Sequence, residues 1–315
     1  MLGRTMGATR TAIILCCILL VMPFAKARSI EPSEWDGWAV VEGGYSILVE
    51  EYTATWCSRC AEIDPDLSIV AEEHGKRIAM VSYHPDEGDA FAPEAAKYRL
   101  QRYINQHNNT SIPGYPSFVV NNGVIREDVP SWPDVTSDIL RAESNQRGYT
   151  KLTVTAQTNE TQLTVTVMPP KGNEIVNGTQ YTILFVEHKK TVPEGFDNPG
   201  EKHRDRVLVG LAEFPMDGEM FAIDASIEAP FVASYPIQNM EEWSVIVVHE
   251  YTEEALKNRS IMNSQPLGVV ELAVQSSALE EGTELPVILP IMVFLAVGIL
   301  GLVTLQTKEK VREEE

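Results

Sequence analysis

Cys57 and Cys60 stand three residues apart, directly after the apolar, strand-like segment 46–52 and at the start of a segment with helical periodicity. A helix start offers free backbone N–H groups and the positive end of the helix dipole, and both stabilise a thiolate at the first cysteine. The thiolate is the form that attacks a disulfide. The spacing and placement therefore predict a thiol–disulfide exchange site, with a static, unreactive disulfide as the alternative.

The predicted roles of the two cysteines follow from their order along the helix. Cys57 is the attacking thiol, and Cys60, one turn later, resolves the mixed disulfide that Cys57 forms. Ser58 and Arg59 lie between them and are predicted to tune the redox chemistry, since the Arg59 cation would stabilise the thiolate further. The alternative is an exposed arginine with little effect. The dithiol is itself the redox group, so no separate cofactor is expected.

The first 27 residues have the pattern of a secretory signal peptide. Two arginines precede the apolar run 11–24, and Ala25-Lys26-Ala27 has the form of a cleavage site. An uncleaved anchor is the alternative, but the run is short for a membrane span. Of the four cysteines in the chain, Cys16 and Cys17 would leave with the signal. A secreted chain with one remaining pair is not a disulfide-stabilised scaffold.

The other end of the chain has the pattern of a membrane-spanning helix. Segment 285–307 carries no charge and is long enough to cross a bilayer. The basic residues of the tail 308–315 place that end in the cytoplasm by the positive-inside rule. Segment 276–284 is polar and acidic, as in a stalk. These patterns predict a single-pass protein of the cell membrane with its bulk outside the cytoplasm.

Composition limits the classes of partner. The formal charge of −20 over 315 residues argues against nucleic-acid binding, which needs a basic surface. No histidine lies at zinc-ligand spacing near the cysteine pair, so no metal site is predicted.

The segments between the two ends predict two domains. Segment 35–148 has the order β-α-β-α-β-β-α. The predicted strands are 46–52, 77–83 and 117–121, and a hairpin turn at Asn122-Gly123 leads into a further strand at Val124 and Ile125. The predicted helices begin at residue 57 and span 93–107 and 135–147. In segment 149–275, short alternating strands are separated by turn residues, which predicts an all-β sandwich of the immunoglobulin or fibronectin type.

Four features of segment 35–148 together resemble the thioredoxin superfamily. Trp56 stands directly before Cys57, and Pro65 lies eight residues after that cysteine. Tyr115-Pro116-Ser117 precedes a strand and an Asn-Gly turn, and Glu51 lies six residues before Cys57. The resemblance implies an α/β thioredoxin-like fold with a redox-active cysteine pair.

The resemblance also implies roles for the residues around the pair. Pro116 would follow a cis peptide bond and place the Tyr115 backbone beside the disulfide, where Tyr115 and Trp56 would contact an extended substrate. Pro113 is the competing candidate for the cis proline. Glu51 would be a buried acid that exchanges a proton with Cys60.

Glu50 is the alternative for the buried acid. Side chains alternate along a strand, so Glu50 and Glu51 are expected on opposite faces, with only one of them inward.

A closer resemblance is to an outer-membrane-associated thioredoxin-like family, the outer-membrane-protein-twenty-eight group. It rests on Thr55-Trp56-Cys57, Tyr83-His84-Pro85, Pro113-Gly114-Tyr115-Pro116 and Asn121-Asn122-Gly123. It implies a β-rich domain after the thioredoxin fold. His84 stands at a strand end. It is predicted to be a surface histidine or a residue behind the site rather than a catalytic residue.

Two functional hypotheses follow. The first is a membrane-anchored thiol–disulfide oxidoreductase that acts on the thiols and disulfides of exported proteins and exchanges electrons with an unidentified partner. The second is a non-enzymatic surface protein for binding or adhesion, in which the thioredoxin-like domain is only a structural module.

Overall fold

The computed structural model describes residues 29–107, 111–145, 149–169, 176–238, 240–257 and 259–276. The predicted signal peptide (1–27), the predicted stalk beyond residue 276, the predicted membrane-spanning segment (285–307) and the predicted tail (308–315) lie outside these residues. Within the described ranges, no helix has both the length and the apolar character needed to cross a membrane.

Strands and helices alternate in the described residues up to 145. From residue 149 onward, the described residues form strands almost exclusively. The α-helices are Ser58–His74 (α1), Glu94–Gln106 (α2), Trp132–Asn145 (α3) and Glu253–Leu256 (α4). The strands are Ser29–Ile30 (β1), Trp38–Gly43 (β2), Ile47–Tyr52 (β3), Ile78–Tyr83 (β4), Ser117–Val120 (β5), Arg126–Glu127 (β6), Leu152–Thr158 (β7), Gln162–Val167 (β8), Thr179–Glu187 (β9), Lys190–Thr191 (β10), His203–Arg204 (β11), Val207–Pro215 (β12), Phe221–Ile223 (β13), Ser226–Ala229 (β14), Val232–Pro236 (β15), Trp243–Tyr251 (β16) and Gly268–Val274 (β17).

The larger sheet joins the N-terminal half (29–145) to the β-rich half (149–276). Its strand order is β1-β17-β16-β9-β12-β4-β3-β5-β6, with β13 beside β12. β3 runs parallel to β4 and antiparallel to β5. β12 runs parallel to β4, with Val207 opposite Ser82, and the Ser82 N–H donates to the Arg206 carbonyl at 2.8 Å. One sheet therefore continues from the N-terminal half into the β-rich half.

A second sheet has the order β14-β15-β8-β7-β2. Its inner face packs on the larger sheet in a core that includes Leu152, Val165, Phe185, Phe214 and Val245. β2 belongs to the N-terminal half, yet it pairs with β7 of the β-rich half. Three strand pairings thus cross the predicted boundary between residues 148 and 149: β1 with β17, β4 with β12, and β2 with β7. The immunoglobulin-like sandwich and the division into separate domains stay predictions.

Helices cover both faces of the sheet around β3. α1 and α3 pack on one face, in a cluster that includes Ile63, Leu67, Ile139, Val49 and Phe118. α2 packs on the other face, in a cluster that includes Ala95, Ala96, Tyr103, Leu48 and Val81. All six residues of β3 are buried as a result.

The covering of both faces corrects one prediction about β3. Glu50 and Glu51 do point to opposite faces, but both are buried, at 3% and 2% exposure. The expectation that only one of them points inward is wrong because it assumed that one face of the strand met solvent. Glu50 faces α2, and Glu51 faces α1.

Glu50 belongs to a buried charge network that ties α2 to both halves of the chain. Arg99 of α2 donates from Nη2 to Glu50 Oε1 at 2.7 Å and from Nη1 to Glu250 Oε1 at 2.8 Å. The Tyr83 hydroxyl donates to Glu50 at 2.8 Å, and Arg102 Nη2 lies 3.4 Å from Glu250. Because Glu50 lies on β3 and Glu250 on β16, Arg99 bridges the two halves.

The hairpin predicted after β5 differs in the structure. Val124 and Ile125 are not the partner strand, since β5 pairs with β6 at Arg126–Glu127. Asn121 and Asn122 adopt positive φ values of 49° and 55°. The Asn121 side chain accepts a hydrogen bond from the Leu48 N–H at 2.9 Å. This bond holds the turn against β3, and the chain pairs with β5 again only from Arg126.

Candidate active site

Cys57 and Cys60 form a disulfide at the start of α1. Cys57 is the N-cap residue of the helix, and its sulfur accepts a hydrogen bond from the Cys60 N–H at 3.1 Å. The N-cap position leaves the first backbone N–H groups of a helix without intrahelical partners, so a side-chain acceptor there is stabilised. The capping hydrogen bond therefore points the Cys60 N–H at the Cys57 sulfur, which is the atom predicted to attack. Ser58, the first helical residue, is exposed.

The loop before Cys57 is held by a buried histidine–aspartate pair. Asp89 Oδ2 accepts from the Thr55 N–H at 2.6 Å and lies 2.9 Å from His84 Nδ1. Burial acts to raise the pKa of Asp89, but the hydrogen bonds from His84, Phe91 and Thr55 outweigh it and hold that pKa below its usual range. The ionised Asp89 orients the His84 ring and binds the backbone of the loop that leads to the cysteines. His84 therefore lies behind the site and helps to position that loop.

The peptide bond between Tyr115 and Pro116 is cis. Tyr115 packs against Cys57 and Cys60, and its ring centroid lies 5.9 Å from that of Trp56 in an edge-on arrangement. Trp56 is 38% exposed, so the two aromatic side chains border the disulfide at the surface. Their roles in binding a substrate stay predictions.

Arg59 turns its charge to an aspartate in the segment after β6. Its guanidinium makes two hydrogen bonds to Asp128, each of 2.9 Å. The Asp128 N–H donates to the Pro116 carbonyl at 2.8 Å, so this ion pair links α1 to the cis-proline segment. Because Asp128 offsets the Arg59 charge, Arg59 contributes less to a Cys57 thiolate than its position between the cysteines predicts.

We expect Asp128→Asn to make Cys57 of the reduced protein more reactive. Asparagine keeps the side-chain oxygen that bonds the Val129 N–H at 2.8 Å, but it removes the charge that offsets Arg59. Alkylation of Cys57 by iodoacetamide at pH 7 should become about two- to threefold faster, since the pair is partly exposed. The double variant Asp128→Asn/Arg59→Gln should return to the wild-type rate. A double variant that stays fast would show that Arg59 is not the source of the effect.

Glu51 lies on β3 behind the redox helix. Its Oε2 accepts from the Ser82 hydroxyl at 2.7 Å, while its Oε1 is buried without a hydrogen-bond partner. Burial, together with the negative charge of Asp64, raises the pKa of Glu51 to about 8. Asp64 stands four residues after Cys60, and residues at this spacing share one face of a helix. Glu51 therefore faces the part of α1 that carries Cys60.

A cleft of about 640 Å³ opens on this side of α1 and is lined by Glu51, Ala61, Asp64, His84, Arg204 and Arg206, among others. Arg204 and Arg206 come from the β-rich half. Sequence reasoning missed both arginines, because nothing near them in the chain marks a redox site. Asp64 could have been found from its spacing of four from Cys60, whereas Asp128 carries no local signal.

Metal ligands are not grouped in the part of the chain that the structure describes. No set of three or more histidine, cysteine, aspartate or glutamate side chains lies close enough there to hold an ion. The predicted absence of a metal stays a prediction.

Comparison with known proteins gives one distant sequence match. The chain matches no protein-family model. It is 29% identical over 87 residues to the chloroplastic thioredoxin X of Arabidopsis thaliana, a match that covers 28% of this chain and 47% of that protein. The chain thus spans about half the length of this curated relative. The closer resemblance to the outer-membrane-associated group stays a prediction.

Among solved structures, a crystal structure of a protein from Agrobacterium tumefaciens is similar at a TM-score of 0.41 and 14% identity. The similarity covers 74% of this chain and 95% of that one. A likeness this weak supports no conclusion about function.

Proposed function

We propose that this chain, whose distant match to a thioredoxin supports its place in the thioredoxin superfamily, is a thiol–disulfide oxidoreductase that works through Cys57 and Cys60. One observation carries the proposal: the Cys57 sulfur caps α1 and accepts the Cys60 N–H at 3.1 Å. This position stabilises a thiolate, which is the attacking form in one direction of exchange and the leaving form in the other.

Oxidation of a client dithiol proceeds in two exchange steps. A client thiolate attacks the Cys57 sulfur, the Cys57–Cys60 bond breaks, and Cys60 leaves as a thiolate that takes a proton from Glu51. A second client thiolate then attacks the client sulfur of the mixed disulfide, and Cys57 leaves as a thiolate. The client loses two electrons and the cysteine pair gains them. The reverse sequence reduces a client disulfide, with Cys60 giving its proton back to Glu51.

Glu51 is in the protonation state that it needs to donate a proton to Cys60 in the first exchange step. With a pKa near 8, Glu51 carries a proton at neutral pH while the pair is oxidised. A protonated acid facing Cys60 can supply the proton that the leaving thiolate needs. Trp56 and Tyr115, which border the disulfide, would contact the client on either side of its reacting sulfur.

We propose that the protein acts at the cell membrane. The signal-like segment 1–27 and the apolar segment 285–307 support a protein anchored in the cell membrane, with the cysteine pair outside the cytoplasm. The clients would be the thiols and disulfides of exported proteins. A separate thiol–disulfide partner would return the pair to its starting state, since each turnover changes its oxidation state.

The reduction potential of Cys57–Cys60 in the full chain tests the proposal. After equilibration in graded dithiol buffers, free thiols are alkylated and the protein is digested with trypsin. Arg59 separates the cysteines, so an oxidised pair leaves two joined peptides and a reduced pair leaves two separate alkylated ones. We expect a potential between about −270 and −120 mV. A value well below about −300 mV would indicate a structural bridge and favour the surface-binding alternative.

Trapping tests the order of attack. Cys60→Ala is expected to accumulate mixed disulfides with client proteins, because the thiol that resolves them is gone. Cys57→Ala is the matched control and should accumulate few, since the N-cap position that stabilises a thiolate belongs to Cys57 and not to Cys60. Equal trapping by both variants would overturn the assignment of Cys57 as the attacking thiol.

A further inference from the structure

A hairpin of the β-rich half packs against the redox helix α1. β10 and β11 pair to form it, and residues 192–202 join them, a segment called here the hairpin connection. Gly200 of this connection lies so close to α1 that a Cβ placed on it would stand 2.8 Å from the Ala61 Cβ. Ala61 directly follows Cys60 in the chain. The hairpin connection therefore rests on the part of α1 that carries the cysteines.

Arg204 holds the hairpin connection in place. This arginine is 7% exposed. Its Nη2 donates to Asn198 Oδ1 at 2.6 Å, and its Nη1 donates to the Glu201 carbonyl. Its Nε lies 3.6 Å from Asp64 Oδ2 on α1. One buried side chain thus ties the connection to the redox helix.

The hairpin touches the redox site at a second place. Lys190 of β10 lies over the Phe91 ring, with 5.4 Å between its Nζ and the ring centroid. The Phe91 N–H donates to Asp89 Oδ1 at 2.8 Å, and Asp89 in turn binds the Thr55 N–H. The hairpin therefore extends from the segment that fixes the loop before Cys57 to the first turns of α1.

These contacts bring the hairpin close to the cysteine that a client must reach. Cys57 is only 5% exposed. The Ala61 N–H donates to the Cys57 carbonyl at 3.1 Å, so the two residues lie on adjacent turns. Side chains at this spacing have Cβ atoms about 5–6 Å apart, and the Gly200 contact then places the hairpin connection within about 10 Å of the Cys57 Cβ.

This distance separates clients by their shape. A helix with its side chains is about 10–12 Å across, so a cysteine displayed on a folded surface brings neighbouring side chains against the hairpin connection. A single extended strand needs only about 5 Å of width. An extended segment can therefore lay its cysteine on the recessed Cys57 sulfur where a folded surface meets the hairpin first.

On the premise that Cys57 and Cys60 exchange disulfides, we propose that the β10–β11 hairpin selects the clients: it admits cysteines in extended, unfolded segments and keeps those of folded surfaces away from Cys57. The exchange itself does not involve the hairpin. When a client disulfide is reduced, the Cys57 thiolate attacks one client sulfur and the other leaves as a thiolate. The Cys60 thiolate then attacks the Cys57 sulfur, and the client leaves with the two electrons that the cysteine pair has lost.

The test compares disulfides of different size as oxidants of the reduced full chain. The probes are hydroxyethyl disulfide, a disulfide-linked dimer of a short linear peptide, and a disulfide-linked dimer of a folded helical protein whose single cysteine lies on an exposed helix. Samples are quenched with acid, and the remaining thiols are alkylated and counted by mass. We expect the wild type to react with the peptide dimer about tenfold faster than with the folded dimer, or more.

Shortening the hairpin should remove this preference. The Val192 N–H donates to the Lys202 carbonyl at 2.9 Å, so the two residues face each other across the hairpin. Replacing residues 193–201 by Asn-Gly closes the same pair of strands with a two-residue turn. The rate with the folded dimer should rise about tenfold, while the rates with the peptide dimer and with hydroxyethyl disulfide stay within about twofold.

A second variant loosens the hairpin without shortening it. Arg204→Gln removes the ion pair with Asp64, and it should raise the rate with the folded dimer at least about twofold. It decides the question if the shortened protein does not fold. Either variant that folds and leaves the ratio of peptide to folded rates at the wild-type value would overturn the proposal.

A length-preserving variant separates shape from binding. Serine in place of Glu194, Phe196 and Asp197 changes three exposed side chains of the hairpin connection and keeps its backbone. All three rates should stay at the wild-type values. A slower reaction of this variant with the peptide dimer would show that the connection binds clients, and selection by shape would then be wrong.

The small probe distinguishes failure of this proposal from failure of the proposed function. If neither hydroxyethyl disulfide nor the peptide dimer oxidises the wild type or any variant, the oxidoreductase function fails. If both react but the wild type does not prefer the peptide dimer over the folded dimer, only the role of the hairpin fails.

Discussion

Replacing Arg99 with methionine is expected to lower the free energy of unfolding by about 3 to 5 kcal/mol. Arg99 is 5% exposed and bonds two carboxylates, Glu50 and Glu250, that are themselves buried. Removing one partner of a buried ion pair leaves the other charge without compensation, and here two charges lose it at once. Arg102 remains near Glu250 at 3.4 Å, but it has no ion pair with Glu50 in the part of the chain that the structure describes. Chemical denaturation of the oxidised protein measures the change.

A lysine on the same helix provides the matched control. Lys97 pairs with Glu94 at 2.8 Å near the surface, so Lys97→Met should change the free energy of unfolding far less than Arg99→Met does. Adding Glu50→Gln to Arg99→Met should recover part of the loss, because the Glu50 charge, unlike that of Glu250, has no second arginine paired with it in the described part of the chain. If Arg99→Met is no less stable than Lys97→Met, Arg99 does not hold the two halves together.

Glu51→Gln is expected to stabilise the protein and to slow its chemistry. In the folded state the pKa of Glu51 is about 8 against an ordinary value of 4.5, with burial as the main cause and Asp64 next. The folded state therefore holds a proton that the unfolded chain has lost, and the wild type loses stability as the pH rises from about 4.5 to 8. Glutamine mimics the protonated form and removes this loss, which amounts to about 4 kcal/mol near pH 7.5.

The gain in stability should therefore be absent near pH 4 and grow up to about pH 8, as measured by denaturation across that range. Opening of the disulfide by an added thiol should slow about 10- to 100-fold below pH 8, because Cys60 loses its proton donor. Glu50→Gln is the neighbouring control. It weakens the bond to Arg99 on the opposite face and should destabilise the protein at every pH. A Glu51→Gln variant whose advantage does not depend on pH would refute the raised pKa.

The features that the sequence predicted correctly are those set by neighbouring residues. The helix start at Cys57 follows from a change of periodicity at that point, and α1 ends at the C-cap Gly75, whose φ is 52°. Tyr115-Pro116 was found through a short motif. Strand and helix limits fell within a few residues, as at α2, although α3 begins at Trp132 rather than at residue 135.

The features that escaped prediction depend on residues far apart in the chain. Arg99 and Glu250 are brought together by three strand pairings, of β16 with β9, of β9 with β12 and of β12 with β4. The burial of both Glu50 and Glu51 depends on helices on each side of β3, which alternation within one strand does not reveal. Arg206 lines the same cleft as Glu51 because β12 extends the sheet at β4. No local pattern carries that information.

The pairing of β1 with β17 sets the order of events during synthesis. Ser29 lies beside Ala273, so the larger sheet stays incomplete until nearly the whole described chain has left the ribosome. β2 likewise waits for β7. Cys57 and Cys60 need only a short stretch of chain to meet, and closing so small a loop is fast compared with assembling distant strands. In an oxidising compartment, the disulfide therefore has time to form before the sheet that positions it.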